Sequence, residues 1–130
     1  MADFSLTVAT PERRLVDERA TEANIPGLGG YFGVLPGHAP LLSGLGSGTM
    51  TWVSGGQTRI LAVMGGFVEV LGDSVRVLAD NAKPKEEIDR AKALELLKQA
   101  QQALSEHPDQ WQDLTESLQR AQAEVDTAAK

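Results

Sequence analysis

Two glycine-rich segments of the 130-residue chain have a spacing that could hold the phosphates of a nucleotide. In the first, Gly27 to Gly33, the last glycine comes one position late for a dinucleotide loop, and Pro36 blocks the helix that must follow. The second, Gly44 to Thr49, lacks the lysine that a Walker A loop needs before its hydroxyl residue. We therefore expect no nucleotide cofactor at either segment, and we interpret the second as turn chemistry.

Histidines are the other residues that could do chemistry, and the chain has two, His38 and His107. Neither has a second histidine, a cysteine or a carboxylate cluster at metal-ligand spacing. A serine-protease arrangement of Ser43, His38 and an aspartate lacks an oriented third partner. No nucleophile, base and orienting group can be named, so we expect neither catalysis nor a metal or other cofactor.

The amino-terminal half has the pattern of a compact all-β domain. Short alternating or β-branched runs are separated by glycine and proline, which is typical of strands joined by tight turns. Two hairpins are predicted at Gly55-Gly56 and at Gly72-Asp73, and in the second Glu69 is expected to face water. Nine candidate strands follow from the pattern: 4–9, 14–18, 21–25, 31–35, 41–45, 48–53, 58–64, 67–71 and 74–78. The sequence thus predicts a sandwich or flattened barrel.

No glycine follows Pro84, and the remaining residues are mostly helix formers. One apolar stripe with helical spacing contains Ile88, Ala91, Leu94, Leu97 and Leu104, and a second contains Trp111, Leu114, Leu118, Ala121 and Val125. Pro108 between them should end the first helix, and Asp109 can cap the second. The pattern predicts two domains: a β domain over residues 1–83 and an antiparallel two-helix hairpin over residues 84–130.

The charge and hydropathy of the chain argue against some kinds of binding partner. The net charge of −6 disfavours nucleic acid and anionic lipid, which need clustered basic residues. No apolar run reaches the roughly 18 residues of a membrane-spanning helix, so any membrane association should run through a protein partner. The residues after Met1 do not resemble a signal peptide, which favours the cytosol.

Three segments in sequence order closely resemble the epsilon subunits of F-type ATP synthases. The first is the family's Gly-Ile-x-Pro-Gly-His-Ala-Pro-Leu signature, present here over residues 33–41. The second, residues 65–70, resembles the family's Gly-Gly-x-x-Glu-Val strand, and the third, residues 77–82, resembles the end of its last strand. Their order, their spacing and the total length all agree with the family.

The resemblance implies a flattened β-sandwich of about ten strands, followed by a two-helix hairpin. It implies a non-catalytic rotor subunit at the foot of the central stalk that couples proton translocation to ATP synthesis. Its partners would be the gamma subunit, the c-ring and, if the helices extend, the alpha/beta hexamer. The enzyme would lie on the cytoplasmic face of the bacterial inner membrane, with this subunit held there peripherally.

By the same resemblance, one loop is the candidate contact with the c-ring and gamma: Tyr31, Phe32, Gly33, Val34, Leu35, Pro36, Gly37 and His38. Relatives often have an acidic residue at position 31, so Tyr31 would replace a charge contact with packing. The alternative is a rigid loop with no partner.

Some family members bind ATP through an Ile/Leu-Asp-x-x-Arg-Ala motif and a later Arg-Ala pair. The matching positions here are Ile88, Asp89, Lys92, Ala93 and Gln99. Because Lys92 and Gln99 replace the two arginines, the forked donors that suit phosphate are missing, and we expect ATP binding to be weak or absent. Asp89 could equally be a solvated charge in the first turn.

Two other classes of protein remain open on sequence grounds. A free-standing β-sandwich could bind a small ligand, but the β half offers only five aromatic residues as platforms: Phe4, Tyr31, Phe32, Trp52 and Phe67. Alternatively, the helical hairpin could be a coiled-coil dimerisation arm, in which case its apolar stripe should drive self-association.

Overall fold

The computed structural model describes residues 2–130, so Met1, the first residue of the amino-terminal segment considered above, lies outside the described part. The strands are β1 (Phe4–Ala9), β2 (Arg14–Ala20), β3 (Glu22–Gly27), β4 (Gly30–Val34), β5 (Leu41–Ser54), β6 (Gln57–Leu71) and β7 (Ser74–Pro84). The helices are α1 (Arg90–Glu106) and α2 (Trp111–Ala128), each preceded by one turn of 3-10 helix. The predicted fold class, a flattened β-sandwich followed by a helical hairpin, is confirmed.

The strands form one sheet in the order β2-β1-β7-β6-β5-β3-β4. All neighbouring pairs are antiparallel except β1 with β7, which is parallel. The sheet folds over itself, because the indole Nε1–H of Trp52 in β5 donates to the carboxylate of Glu18 in β2 at 2.7 Å although three strands separate them. The inward side chains of both layers then form a single hydrophobic core.

The sequence predicted nine strands and the family resemblance about ten, whereas the described residues form seven. Predicted strands 41–45 and 48–53 are one strand, β5, and 58–64 and 67–71 are likewise one strand, β6. Glycines at these junctions looked like strand ends, but the β5–β6 pairing continues past them in constant register. The three long strands each cross both layers, which is why fewer strands make the same sandwich.

The layers meet at a corner, where β5, β6 and β7 all change the side that faces the core. Core-facing residues are odd-numbered in β6 at Leu61 and Val63 and even-numbered at Val68 and Val70. Gly65 and Gly66 lie between them with φ values of +72° and +122°, which glycine adopts without steric cost. At Gly66 an added Cβ would lie 2.0 Å from the backbone oxygen of Leu78.

Both predicted hairpins are present. Ser54 pairs with Gln57 across Gly55 and Gly56, both with positive φ, and Leu71 pairs with Ser74 across Gly72 and Asp73. A third two-residue hairpin, across Leu28 and Gly29, joins β3 to β4 in the segment that we compared with a dinucleotide loop.

The helices form the expected hairpin, and only α2 packs extensively on the sandwich, against β5 and β6. The predicted stripe on α1 is partly wrong, because Ala91 and Leu94 are exposed, whereas Ala93, Leu97 and Ala100 are buried. On α2, Trp111 is exposed, and Asp109 lies in the preceding 3-10 turn, where it does not cap the helix. Small residues line the buried side of both helices, which allows close approach. None of the helices in residues 2–130 has the length and apolar character to cross a membrane.

The corner glycine provides a test of the fold. Gly66→Ala should lower the free energy of unfolding by about 1–3 kcal/mol or more, because the new Cβ would clash with backbone in a positive-φ conformation. Gly29→Ala is the matched control, since no atom lies within 4 Å of its added Cβ, and it should change stability by less than about 1 kcal/mol. Equal denaturant midpoints for the two variants would contradict the role of the corner.

Candidate interaction surfaces

The predicted contact loop comprises strand β4 and a turn, and only part of it is free to meet a partner. Val34 is fully buried in the core, and Phe32 packs against it. In the turn, the His38 N–H donates to the Leu35 carbonyl at 3.1 Å, with Gly37 at φ +83° after Pro36. This is the geometry of a type II turn.

The turn presents one large apolar side chain to solvent, since Leu35 is 60% exposed. The imidazole of His38 is fixed against the backbone of the turn, because its Nδ1–H donates to the Ala39 carbonyl at 2.6 Å. Gly33 and Gly37 are exposed as backbone only. The turn can therefore offer an aliphatic side chain and peptide groups to a partner.

Tyr31 points along the sandwich, towards α2. Its hydroxyl accepts a hydrogen bond from the backbone N–H of Thr49 in β5 at 3.0 Å. The ring lies over Gly48, where an added Cβ would come within 2.3 Å of the hydroxyl oxygen. Within the chain, Tyr31 thus packs on β5, and its expected role in packing against a partner stays a prediction.

The glycines at positions 44, 46 and 48 are not turn residues, so our interpretation of the second glycine-rich segment was wrong. All three lie in β5. An added Cβ would meet Leu28 at Gly44, the Gly27 carbonyl at Gly46 and Tyr31 at Gly48. Because these three positions of β5 have no side chain, the β3–β4 hairpin can pack directly on the backbone of the strand.

The residues matching the ATP motif are occupied in structural contacts. Asp89 is the N-cap of α1, and its carboxylate accepts from the Lys92 N–H at 3.1 Å. Ile88 packs on a small cluster of Ala62, Met64 and Ala123 beneath α2. Ala93 is buried, while Gln99 donates to Glu95 one turn away on the exposed side of α1. The sequence suggested a solvated charge in the first turn, whereas the structure places Asp89 at the N-cap of α1.

Polar contacts join α2 to the sandwich along one side of the helix. Arg120 lies 3.8 Å from Asp80, and Glu124 accepts from the Lys83 ammonium at 2.8 Å. Further along, the buried hydroxyls of Thr127 and Thr49 are 2.8 Å apart. The three residues of α2 are spaced by four and three positions, so one face of the helix is matched to the sandwich over about its last two turns.

An ion pair holds the segment that leads into α1. The guanidinium of Arg13, in the β1–β2 turn, donates to both carboxylate oxygens of Glu87 at 3.1 and 2.7 Å. This forked contact keeps the pKa of Glu87 below its usual range and that of Arg13 above it. Both side chains are exposed, so the pair orients the linker more than it stabilises the fold.

The sequence analysis did not predict one surface, an exposed apolar face on the outer side of β5, β6 and β7. We call Leu42, Phe67 and Leu78 the apolar face; they are 72%, 61% and 55% exposed. Phe67 pairs directly with Leu78, and Leu42 lies opposite Glu69 in the next pair. Leu28 and Trp111 extend it along a groove beside α2. Contiguous exposed apolar surface of this kind is typical of interaction sites.

The signal for this face was available. We expected Glu69 to face water, and residues two apart in a strand share a side, so Phe67 and Leu71 had to face water as well.

Within residues 2–130 no group of three or more potential ligand side chains could hold a metal ion.

The whole-chain geometry agrees with the comparisons to known proteins. A family model described as the beta-sandwich domain of the ATP synthase delta/epsilon chain matches residues 3–85. The chain belongs to this family of ATP synthase subunits.

Curated relatives specify the subunit type more closely. A protein named ATP synthase epsilon chain from Solibacter usitatus is 51% identical over 98% of this chain and 96% of its own length. Another of that name, from Koribacter versatilis, is 46% identical over 80% of this chain and 74% of its own.

Among solved structures, a chain in a cryo-EM structure of the Euglena gracilis mitochondrial ATP synthase, which contains OSCP, F1 and the c-ring, superposes with a TM-score of 0.84. It is 27% identical and covers 100% of this chain and 83% of its own length. A chain of the Tetrahymena thermophila central stalk and c-ring shares the fold at a TM-score of 0.56 and 12% identity, over 66% of this chain and 69% of its own.

Proposed function

We propose that this chain is the epsilon subunit of a bacterial F-type ATP synthase, a non-catalytic part of the central stalk that couples proton translocation to ATP synthesis. The observation that carries the proposal is the likeness to named epsilon chains over nearly the entire length, 51% identity across 98% of the chain. A rigid sandwich with a single continuous core suits a part that must transmit torque.

Two surfaces suit two partners. The apolar face of Leu42, Phe67 and Leu78 is the proposed contact with gamma, because it is the chain's broad exposed apolar area on a rigid sheet. The loop from Tyr31 to His38 is the proposed contact with the polar loops of the c-ring, with Leu35 as its most exposed large side chain. The subunit would then be held peripherally at the cytoplasmic face of the inner membrane.

A further part of the proposal is that residues 1–83 form a domain that anchors the subunit and that residues 84–130 act as a movable hairpin. Only α2 contacts the sandwich extensively, and α1 is held through α2. An extended hairpin of two helices of 17 and 18 residues could reach about 50 Å, far enough to approach the alpha/beta hexamer.

Substitution on the apolar face tests the proposed place in the stalk. Phe67→Glu should reduce co-purification of a tagged chain with alpha, beta, gamma and c subunits at least about tenfold, because a charge would replace an exposed apolar anchor. Its own stability should change by less than about 0.5 kcal/mol, since the residue lies outside the core.

Leu96→Glu, at a 43% exposed residue of α1, is the matched control and should co-purify normally. If the parent chain did not co-purify with the complex, the free-standing binding module would become the better reading. The purified chain should hydrolyse no ATP.

Nucleotide binding is tested at Asp89. Isothermal titration calorimetry of the parent chain should show no micromolar affinity for ATP, because Lys92 and Gln99 supply no forked donors. Asp89→Ala should instead lower helix stability by about 0.5–2 kcal/mol through loss of the cap, and Asp89→Asn should preserve it. Micromolar ATP affinity that disappears in Asp89→Ala would contradict the proposal.

Removal of the hairpin tests its regulatory strength. Deleting residues 84–130 from the assembled enzyme should raise ATP hydrolysis less than about tenfold, which corresponds to a coupling under about 1.4 kcal/mol. Residues 109–130 carry two basic and five acidic side chains, so an acidic loop of the beta subunit would repel them. Activation well above tenfold would show that shape and apolar contact outweigh charge.

A further inference from the structure

The pairing of β3 with β5 breaks near Pro26 and leaves a donor to be satisfied. The two strands pair at Asn24 with Thr51, and then only at Gly27 with Leu45, three residues out of the earlier register. Continuing the first register would place Thr49 opposite Pro26. Instead, the N–H of Thr49 donates to the hydroxyl of Tyr31 at 3.0 Å. A side chain of β4 thus replaces a strand partner, as a buried N–H requires.

The side chain of Thr49 continues the connection into α2. Its hydroxyl lies 2.8 Å from the hydroxyl of Thr127. Thr127 uses its own proton to bond the Ala123 carbonyl at 2.8 Å, so Thr49 must be the donor between the two hydroxyls. Thr49 is 5% exposed and Thr127 is 0% exposed, so water cannot readily replace either partner.

Tyr31 therefore stands at one end of a hydrogen-bonded connection and the Ala123 carbonyl at the other, with Thr49 and Thr127 between them. Tyr31 also borders two clefts between β5 and α2, one of them lined by Asp126 and Lys130 and the other by Gln122. Gly48 beneath the ring makes the close approach possible. The β3–β4 hairpin and the carboxyl-terminal part of α2 thus both bond to Thr49 of β5, the hairpin at its backbone N–H and the helix at its hydroxyl.

We propose that docking of α2 on the sandwich is energetically coupled to the position of the β3–β4 hairpin through Tyr31, Thr49 and Thr127. A partner that lifts Tyr31 off Gly48 removes the hydrogen-bond partner that the Thr49 N–H has within the chain and loosens the strand segment that carries the Thr49 hydroxyl. The docked helix then loses its buried polar partner. By linkage the effect is reciprocal, so release of α2 loosens the hairpin by the same factor.

The identity of the partner rests on the proposed function, in which the β4 loop meets the c-ring. Under that assignment, contact with the ring would bias the helical hairpin between docked and released states. The coupling itself is a property of the isolated chain, and it can be measured without the rest of the enzyme.

Hydrogen–deuterium exchange of the full chain tests the coupling in both directions. Tyr31→Phe, which keeps the ring but removes the hydroxyl, should speed amide exchange in residues 123–128 of α2 at least about threefold. Thr127→Val should speed exchange of the Thr49 amide and of residues 28–31 by a similar factor. In the double variant, the increase in the exchange rate of α2 should be smaller than the product of the increases in the two single variants, because both substitutions act on one connection.

Thr115→Val, on α2 but outside the connection, and Leu35→Ala, in the turn after β4, are the matched controls and should leave the distant segment unchanged. Gly48→Ala displaces the Tyr31 hydroxyl by a second route and should reproduce the effect of Tyr31→Phe on α2. The proposal is overturned if each variant speeds exchange only in its own element or if the two effects multiply. Failure to join the synthase would count only against the proposed function.

Discussion

The corner at which β5, β6 and β7 change layers is the constraint on which the rest of the molecule depends. All three strands turn at the same level, between Leu45 and Ser47, at Gly65, and between Ala79 and Asn81, so their mutual register survives the turn. If only one strand carried an extra residue, every later side chain on it would point to the wrong face. Because the turn is shared, one hydrophobic core fills both layers.

The same corner determines which surfaces are left for partners. Before the corner in β6, Ala62 and Met64 face away from the core and are covered by Ala123 and Ile88. After the corner, Phe67 faces away from the core and is not covered, although it lies only three residues from Met64. One strand thus supplies the floor of the helix-docking site and the centre of the apolar face. A rotor subunit gains from this arrangement, because both contacts are fixed to one rigid element.

Local signals made much of the fold predictable, and the errors lie where distant segments decide. The hairpins at Gly55-Gly56 and Gly72-Asp73 were predicted because a two-residue turn carries its own chemistry. Gly66 looked like a strand end, since only its pairing with the neighbouring strands β5 and β7 shows that the strand continues. The inner side of α1 was misplaced because it depends on where α2 lies. Tyr31 could not be understood from sequence, because its partner exists only where Pro26 interrupts β3.

The docked hairpin is held on the sandwich by matched polar groups together with a small apolar cluster. This cluster consists of the buried residues Ala62, Met64 and Ala123 and the partly buried Ile88. Two ion pairs, from Arg120 and Glu124, join it at exposed or half-buried positions, where each contributes little. The buried Thr49–Thr127 hydrogen bond contributes about 0.5–1.5 kcal/mol to docking, because both hydroxyls bond to water once the helix is released. A docking energy built from small terms and one buried hydrogen bond lies in the range that a single partner contact can shift. The sandwich can therefore stay rigid while the hairpin responds.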